Sequence, residues 1–218
     1  SRRLALLEWA SAADAFVLED DYDSEYRYAG KPLAALQGLD ADGRVVYVGT
    51  MSKVMFPGLR LGYMVVPAHL VPAFRAVRGL ADTHPPMGIQ PALAEFVDAG
   101  HLSAHIRRMR ALYADRQRLL IEACREPLAP WLDIAPDEAG MHLVATLRAG
   151  MDDRTVTRLA REHGVEAPAL SSYYRSLPPR QGLLLGYAGV GEGEIGSATR
   201  RLAEACAAAA EIAKDSAP

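Results

Sequence analysis

The run Arg44-Val-Val-Tyr-Val-Gly49 constrains the fold more than any other stretch of the chain. Its apolar and β-branched residues fall at successive positions rather than alternate ones. That is the pattern of a strand buried on both faces of a parallel sheet. Leu61-Gly-Tyr-Met-Val-Val66 is expected to be a second such strand, stopped by Pro67. Phe16-Val-Leu-Glu19 is a shorter one, whose carboxyl end delivers Asp20 into a loop.

Such a sheet needs helical layers, and helical spacing follows in the sequence. Leu4, Leu7, Ala10 and Ala13 predict a helix over 2–14, and further helices are expected over 69–81, over 89–99 with Gly100 as its cap, and over 102–125. Pro127 and Pro130 end the last of these. Strands are then expected at 131–134, 141–147 and 182–187, with helices at 153–163 and 192–213. Strands alternating with helices predict an α/β fold. Residues 1–100 would carry a mostly parallel sheet. Residues 101–218 would carry a long connecting helix and a small carboxyl-terminal α/β domain.

Composition excludes several classes. A net charge of -3 and a pI near 6.1 argue against a nucleic-acid surface dominating the molecule. Cys124 and Cys206 lie far apart, which indicates neither a redox pair nor a thiolate metal cage and fits free thiols in the cytoplasm. No apolar run reaches membrane-spanning length. The start, Ser1-Arg-Arg-Leu-Ala-Leu-Leu-Glu8, reads as an amphipathic helix rather than a secretion signal.

Chemistry concentrates around Lys53. The 24 basic residues comprise 21 arginines and only Lys31, Lys53 and Lys214, so arginine is the default cation here. An arginine cannot act as a nucleophile, whereas a lysine can form a Schiff base. Lys53 sits in Gly49-Thr-Met-Ser-Lys-Val-Met-Phe-Pro-Gly-Leu-Arg-Leu-Gly-Tyr63, downstream of Leu18-Glu-Asp-Asp-Tyr-Asp-Ser-Glu-Tyr26. Together these stretches hold what a pyridoxal 5′-phosphate site needs. Lys53 supplies the amine for the aldehyde. Asp20 supplies a carboxylate that keeps the pyridine nitrogen protonated. Tyr22 supplies a donor for the ring oxygen, and Thr50, Ser52 and Arg60 supply donors and positive charge for the phosphate. Pro57, Gly58 and Gly62 suit a tight loop close to such a group.

Three of these segments, Glu19-Asp-Asp-Tyr-Asp-Ser-Glu-Tyr26, Gly49-Thr-Met-Ser-Lys53 and Phe56-Pro-Gly-Leu-Arg-Leu-Gly-Tyr63, resemble the aminotransferase-like domain of MocR-type regulators in the GntR superfamily. The resemblance continues through Gly100–Arg110, Ala139–His142 and Leu183–Tyr187. It implies a fold-type-I, pyridoxal-phosphate-dependent fold, with residues 1–100 as the second half of the large domain. It implies Lys53 as the internal-aldimine lysine, Asp20 as the pyridinium partner, Tyr22 at the ring oxygen, and Thr50, Ser52 and Arg60 around the phosphate.

The resemblance also implies an effector domain that senses an amino compound, an amino acid or the cofactor itself. It implies a homodimer, no membrane, and DNA contact only through a winged helix-turn-helix upstream, so that this chain is a carboxyl-terminal fragment. The alternative is a catalytically active class I/II aminotransferase. Enzymes of that class carry an arginine for the substrate α-carboxylate where this chain has Leu183-Leu-Leu185, which favours the sensor; Arg175 and Arg180 precede it.

Other chemistry-bearing residues take simpler readings. Glu19, Asp21, Asp23 and Glu25 lack the spacing and glycine of an EF-hand, and most of them are expected to be solvated or paired with arginines. His101 and His105 stand one helical turn apart without a third ligand or nearby carboxylate, as surface or interface residues. The arginines from 107 to 118 are interspersed with acids, as on a charged helix face. His142 lies in an apolar strand and is expected to be packed in the core.

Overall fold

The structure, a computed structural model, describes residues 2–84, 87–148, 150–176 and 179–215. The chain divides into two compact units, Ser1–Arg108 and Met109–Pro218, with the boundary inside a long helix, His101–Cys124.

In the first unit, α1 (Arg2–Ala12) leads into β1 (Val17–Asp21) and β2 (Val45–Thr50). A one-turn helix, α2 (Met51–Val54), follows β2 directly and precedes β3 (Gly62–Val65). Helices α3 (Val71–Asp82) and α4 (Gln90–Asp98) come next, then α5 (His101–Cys124). Helix α3 begins with Pro72 in its first turn, where a missing N–H costs nothing. Gly100 adopts φ +77° after α4, the left-handed conformation that ends helices.

The sheet order is β1-β2-β3. Strands β1 and β2 are parallel, with Val17 opposite Val45 and Asp21 opposite Gly49. The expectation of a buried strand holds for the start of β2, where successive residues Val45 and Val46 are 0% and 6% exposed. The expectation of a second parallel strand does not hold. Strand β3 runs antiparallel to β2, with Thr50 opposite Gly62 and Tyr47 opposite Val65. The intervening residues 51–61 are too few for the crossover of about a dozen or more that parallel neighbours need, and Met51 N–H donates to Leu61 O (2.9 Å), so the chain doubles back. As an edge strand, β3 leaves Tyr63, Met64 and Val65 half exposed.

The second unit contains β4 (Leu132–Ile134), β5 (His142–Leu147), α6 (Asp153–Glu162), β6 (Gly182–Gly186) and α7 (Glu192–Asp215). Its sheet, β4-β5-β6, is antiparallel throughout. Strand β5 alternates cleanly: Leu143, Ala145 and Leu147 are buried, and Val144 is exposed. That period of two also corrects the reading of His142, which lies on the open face and is exposed. The inward side chains of β5 and of Leu183 and Leu185 on β6 form one core with Val156, Leu159 and Ala160 of α6 and Ile195, Leu202, Ala205 and Cys206 of α7. Asp152 caps α6 by accepting from Thr155 N–H (2.8 Å), and Gly164 (φ +69°) follows its end. Fully buried Asp153 accepts from Ser171 N–H (2.8 Å), Ser171 O–H (2.6 Å) and Gly182 N–H (3.1 Å), tying α6 to β6.

Among the described residues no helix is long and apolar enough to cross a membrane, and no cluster of His, Cys, Asp and Glu suits a metal ion.

Candidate functional site

Parallel pairing sets the site. Because β1 and β2 run the same way, their carboxyl ends lie at one edge of the sheet, the place where ligands of α/β proteins bind. Strand β1 ends in Glu19-Asp20-Asp21 and is followed at once by Tyr22. Strand β2 ends in Thr50 and is followed by Ser52 and Lys53. The loop that carries Lys53 closes back on the same end through the Thr50–Gly62 pair, which brings in Arg60. All six residues expected from the sequence are therefore brought to one end of the sheet. Asp20 lies one residue further into the strand than expected, inside β1 rather than in the loop after it.

Register separates the three acids. Residues opposite one another in paired strands share a face, so Glu19 and Asp21 share theirs with Tyr47, Gly49 and Tyr63, while Asp20 shares the other face with Val48, Thr50 and Met64. Glu19 accepts from the N–H groups of Leu36 (2.7 Å) and Gln37 (2.9 Å) and so holds the long connection to β2. Asp21 accepts from Ser24 N–H (3.2 Å), Ser24 O–H (2.6 Å) and the Tyr47 hydroxyl (3.0 Å). These two depart from the solvated or arginine-paired state expected of most of the acids: Glu19 binds two backbone N–H groups, and Asp21 binds one backbone N–H and two hydroxyls. Asp20 is exposed and has no hydrogen bond or ion pair among the described residues. It is the free carboxylate of the run.

The face opposite Asp20 is braced by aromatic contacts. Tyr47 and Tyr63 lie 6.1 Å apart between ring centroids. Burial, with help from hydrogen bonding to Asp21 and Tyr63, holds the Tyr47 phenol far above the usual tyrosine range, so it stays a proton donor. The Tyr63 ring lies directly over Gly49, where a Cβ would meet its Cζ at 2.4 Å. A larger residue there would have to displace the half-exposed ring.

Thr50 N-caps α2, its hydroxyl oxygen accepting from Ser52 N–H (3.1 Å), which leaves the Thr50 O–H free to donate. Lys53 is exposed on α2, and its carbonyl accepts from the hydroxyl of buried Tyr26 (3.1 Å). Nothing local in the sequence shows which group the Tyr26 hydroxyl reaches, so Tyr26 is not among the residues predicted for the site. Arg60 adopts φ +50°, ψ +34°, a left-handed conformation uncommon outside glycine, at the end of a turn over Pro57–Leu59. The side chains of Lys53 and Arg60, like that of Asp20, form no hydrogen bond or ion pair among the described residues. An open cleft of about 640 Å³ adjoins the loop, with Met51, Arg60, Tyr63, Arg78, Gln90 and Asp98 in its wall.

This arrangement offers a free amine, a free carboxylate, hydroxyl donors and an unpaired guanidinium at one sheet end. In the other unit, Arg180 donates to Thr146 Oγ1 (3.2 Å), and Leu184, between buried Leu183 and Leu185, is half-buried.

Comparison with known proteins follows the same lines. A family model described as aminotransferase class I and II matches residues 5–201. The probable rhizopine catabolism regulatory protein MocR of Rhizobium meliloti is 46% identical over 188 residues, which cover 86% of this chain and 38% of that protein. The HTH-type pyridoxine biosynthesis transcriptional regulator PdxR of Corynebacterium glutamicum is 35% identical over 188 residues, covering 85% of this chain and 40% of that protein. The crystal structure of a kynurenine aminotransferase from Pyrococcus horikoshii matches with a TM-score of 0.86 at 32% identity, over 95% of this chain and 51% of that one. The chain thus spans less than half the length of these two regulators.

Proposed function

The chain belongs to the class I and II aminotransferase family, and from that premise we propose that it is the pyridoxal-phosphate-binding effector module of a MocR-type transcriptional regulator. When bound, pyridoxal 5′-phosphate supplies an aldehyde that bonds an amine and a ring that accepts electrons. The donor set fits that group. Lys53 offers the amine. Asp20 favours a protonated pyridine nitrogen. Tyr22 donates to the ring oxygen, and Thr50, Ser52 and Arg60 bind the phosphate. The observation that carries this reading is the division of labour among the charges. Glu19 and Asp21 are occupied by protein donors, while Asp20, Lys53 and Arg60 take no partner among the described residues.

The regulatory half of the proposal rests on the two regulators, 46% and 35% identical. An amino compound, or the cofactor itself, engages the Lys53 site. It shifts the protein only so far as it binds two arrangements unequally, and an upstream domain reads the shift on DNA. The working form is a homodimer; the two buried free thiols fit the cytoplasm as its compartment. A second reading, a working aminotransferase, draws on the likeness to the Pyrococcus horikoshii enzyme.

The test is optical. The complete polypeptide with pyridoxal phosphate should develop a visible band that borohydride bleaches, and Lys53→Ala should abolish it. A band that survives the substitution overturns the assignment. Continuous turnover of an amino donor with 2-oxoglutarate would select the enzyme, and a single stalled half-reaction would select the sensor.

A further inference from the structure

Tyr26 is the largest fully buried side chain of the first unit, and it joins the two halves of the site. Its hydroxyl donates to the carbonyl oxygen of Lys53 (3.1 Å) and lies 3.3 Å from that of Val54. Helix α2 has a single turn, so the carbonyls at its end lack the N–H partners that a longer helix would give them. The Tyr26 hydroxyl meets that need from across the chain. On its own side, Tyr26 is tied to the Asp20 segment. Ser24 donates twice to Asp21, and Tyr26 N–H donates to Asp23 O (2.9 Å), so successive turns carry the chain from Tyr22 inward to Tyr26.

The Lys53 side chain is exposed and has no partner among the described residues, so its aim depends on the peptide from which it projects. We propose that Tyr26 is a positioning residue: its hydroxyl fixes the Lys53 peptide relative to the Asp20–Tyr22 segment, and so aims the amine at the aldehyde. This rests on the reading of Lys53 as the residue that bonds the cofactor.

Two ligands separate aiming from mere structure in the complete protein. Pyridoxal phosphate can bond Lys53. Its 4′-deoxy analogue, with a methyl group for the aldehyde, meets the same ring and phosphate contacts but cannot. Tyr26→Phe should weaken pyridoxal phosphate binding roughly threefold to tenfold, the worth of one hydrogen bond, and leave the analogue's affinity unchanged. Equal weakening of both ligands, or of neither, overturns the proposal. A wild-type protein that does not prefer pyridoxal phosphate over the analogue removes the Lys53 reading itself, before any variant is compared. Should Tyr26→Phe fail to fold, 3-fluorotyrosine at position 26 keeps the shape and the bond. Its fluorine resonance should shift with pyridoxal phosphate and not with the analogue, and an identical response to both overturns the proposal.

Discussion

Replacing Asp20 and Asp21 by alanine, one at a time, should separate ligand binding from folding. Asp21 accepts three hydrogen bonds, from Ser24 N–H (3.2 Å), Ser24 O–H (2.6 Å) and Tyr47 O–H (3.0 Å). Each is worth about 0.5–1.5 kcal/mol net, with the two solvent-exposed ones at the low end. Asp21→Ala should therefore cost about 2 kcal/mol. With a urea slope of about 2 kcal/mol/M, the unfolding midpoint of this domain falls by about 1 M. Asp20 is exposed and makes no bond among the described residues, so Asp20→Ala should leave stability within about 0.5 kcal/mol of the parent. Binding should show the reverse order. A hydrogen bond to a charged ring nitrogen is worth about 1.5–3 kcal/mol, so Asp20→Ala should weaken pyridoxal phosphate about 10- to 150-fold. Asp21→Ala should change that affinity little while the protein remains folded. The assays are urea unfolding followed by circular dichroism and cofactor titration followed by absorbance, both on the complete polypeptide. An Asp20→Ala midpoint as low as that of Asp21→Ala, or cofactor loss confined to Asp21→Ala, would refute the assignment of the free carboxylate.

Three other perturbations test the frame around the site. Gly49→Ala places a methyl 2.4 Å from Tyr63 Cζ and 2.6 Å from its hydroxyl, so the ring must swing away at a cost of about 1–3 kcal/mol in urea unfolding. Combined with Tyr63→Ala it should cost less than the sum of the two, and strict additivity would contradict the steric account. In the second unit, Asp153→Ala strands two N–H groups and a hydroxyl in a fully buried place and should cost about 3–5 kcal/mol. Asp153→Asn keeps one acceptor oxygen and should cost less than half as much; an alanine variant within about 1 kcal/mol of the parent would refute the clamp. Burial pushes the Cys124 and Cys206 thiols up to about 12 from the ordinary 9.0. Between those values the unfolded chain has lost protons that the folded one keeps, so stability falls as pH rises, by at most about 1.4 kcal/mol per pH unit for each thiol. Unfolding midpoints measured from pH 8 to 11 should decline, and the decline should flatten in Cys124→Ala.

What the sequence disclosed and what it hid follow from the range of each interaction. Helix ends were legible because their causes are local: Gly100 and Gly164 both take positive φ just beyond a helix, as their positions in the sequence led one to expect. The alternation that buries Leu143, Ala145 and Leu147 is local too, although the same alternation sends His142 outward, and an apolar neighbourhood in sequence concealed that. The direction of β3 is a different matter. Its apolar run looks like that of β2, and only the closure of Met51 onto Leu61 makes it antiparallel.

The acids at the end of β1 show the limit most sharply. Asp20 and Asp21 are identical neighbours, and no property of either residue alone separates them. The register with β2 does so, because it sets Asp21 beside Tyr47 and Gly49 and turns Asp20 to the face of Val48 and Thr50. A motif can mark which residues a site needs. Which of two adjacent carboxylates is left without a protein donor among the described residues is decided by a strand more than twenty residues away, through a hydroxyl that takes the other one.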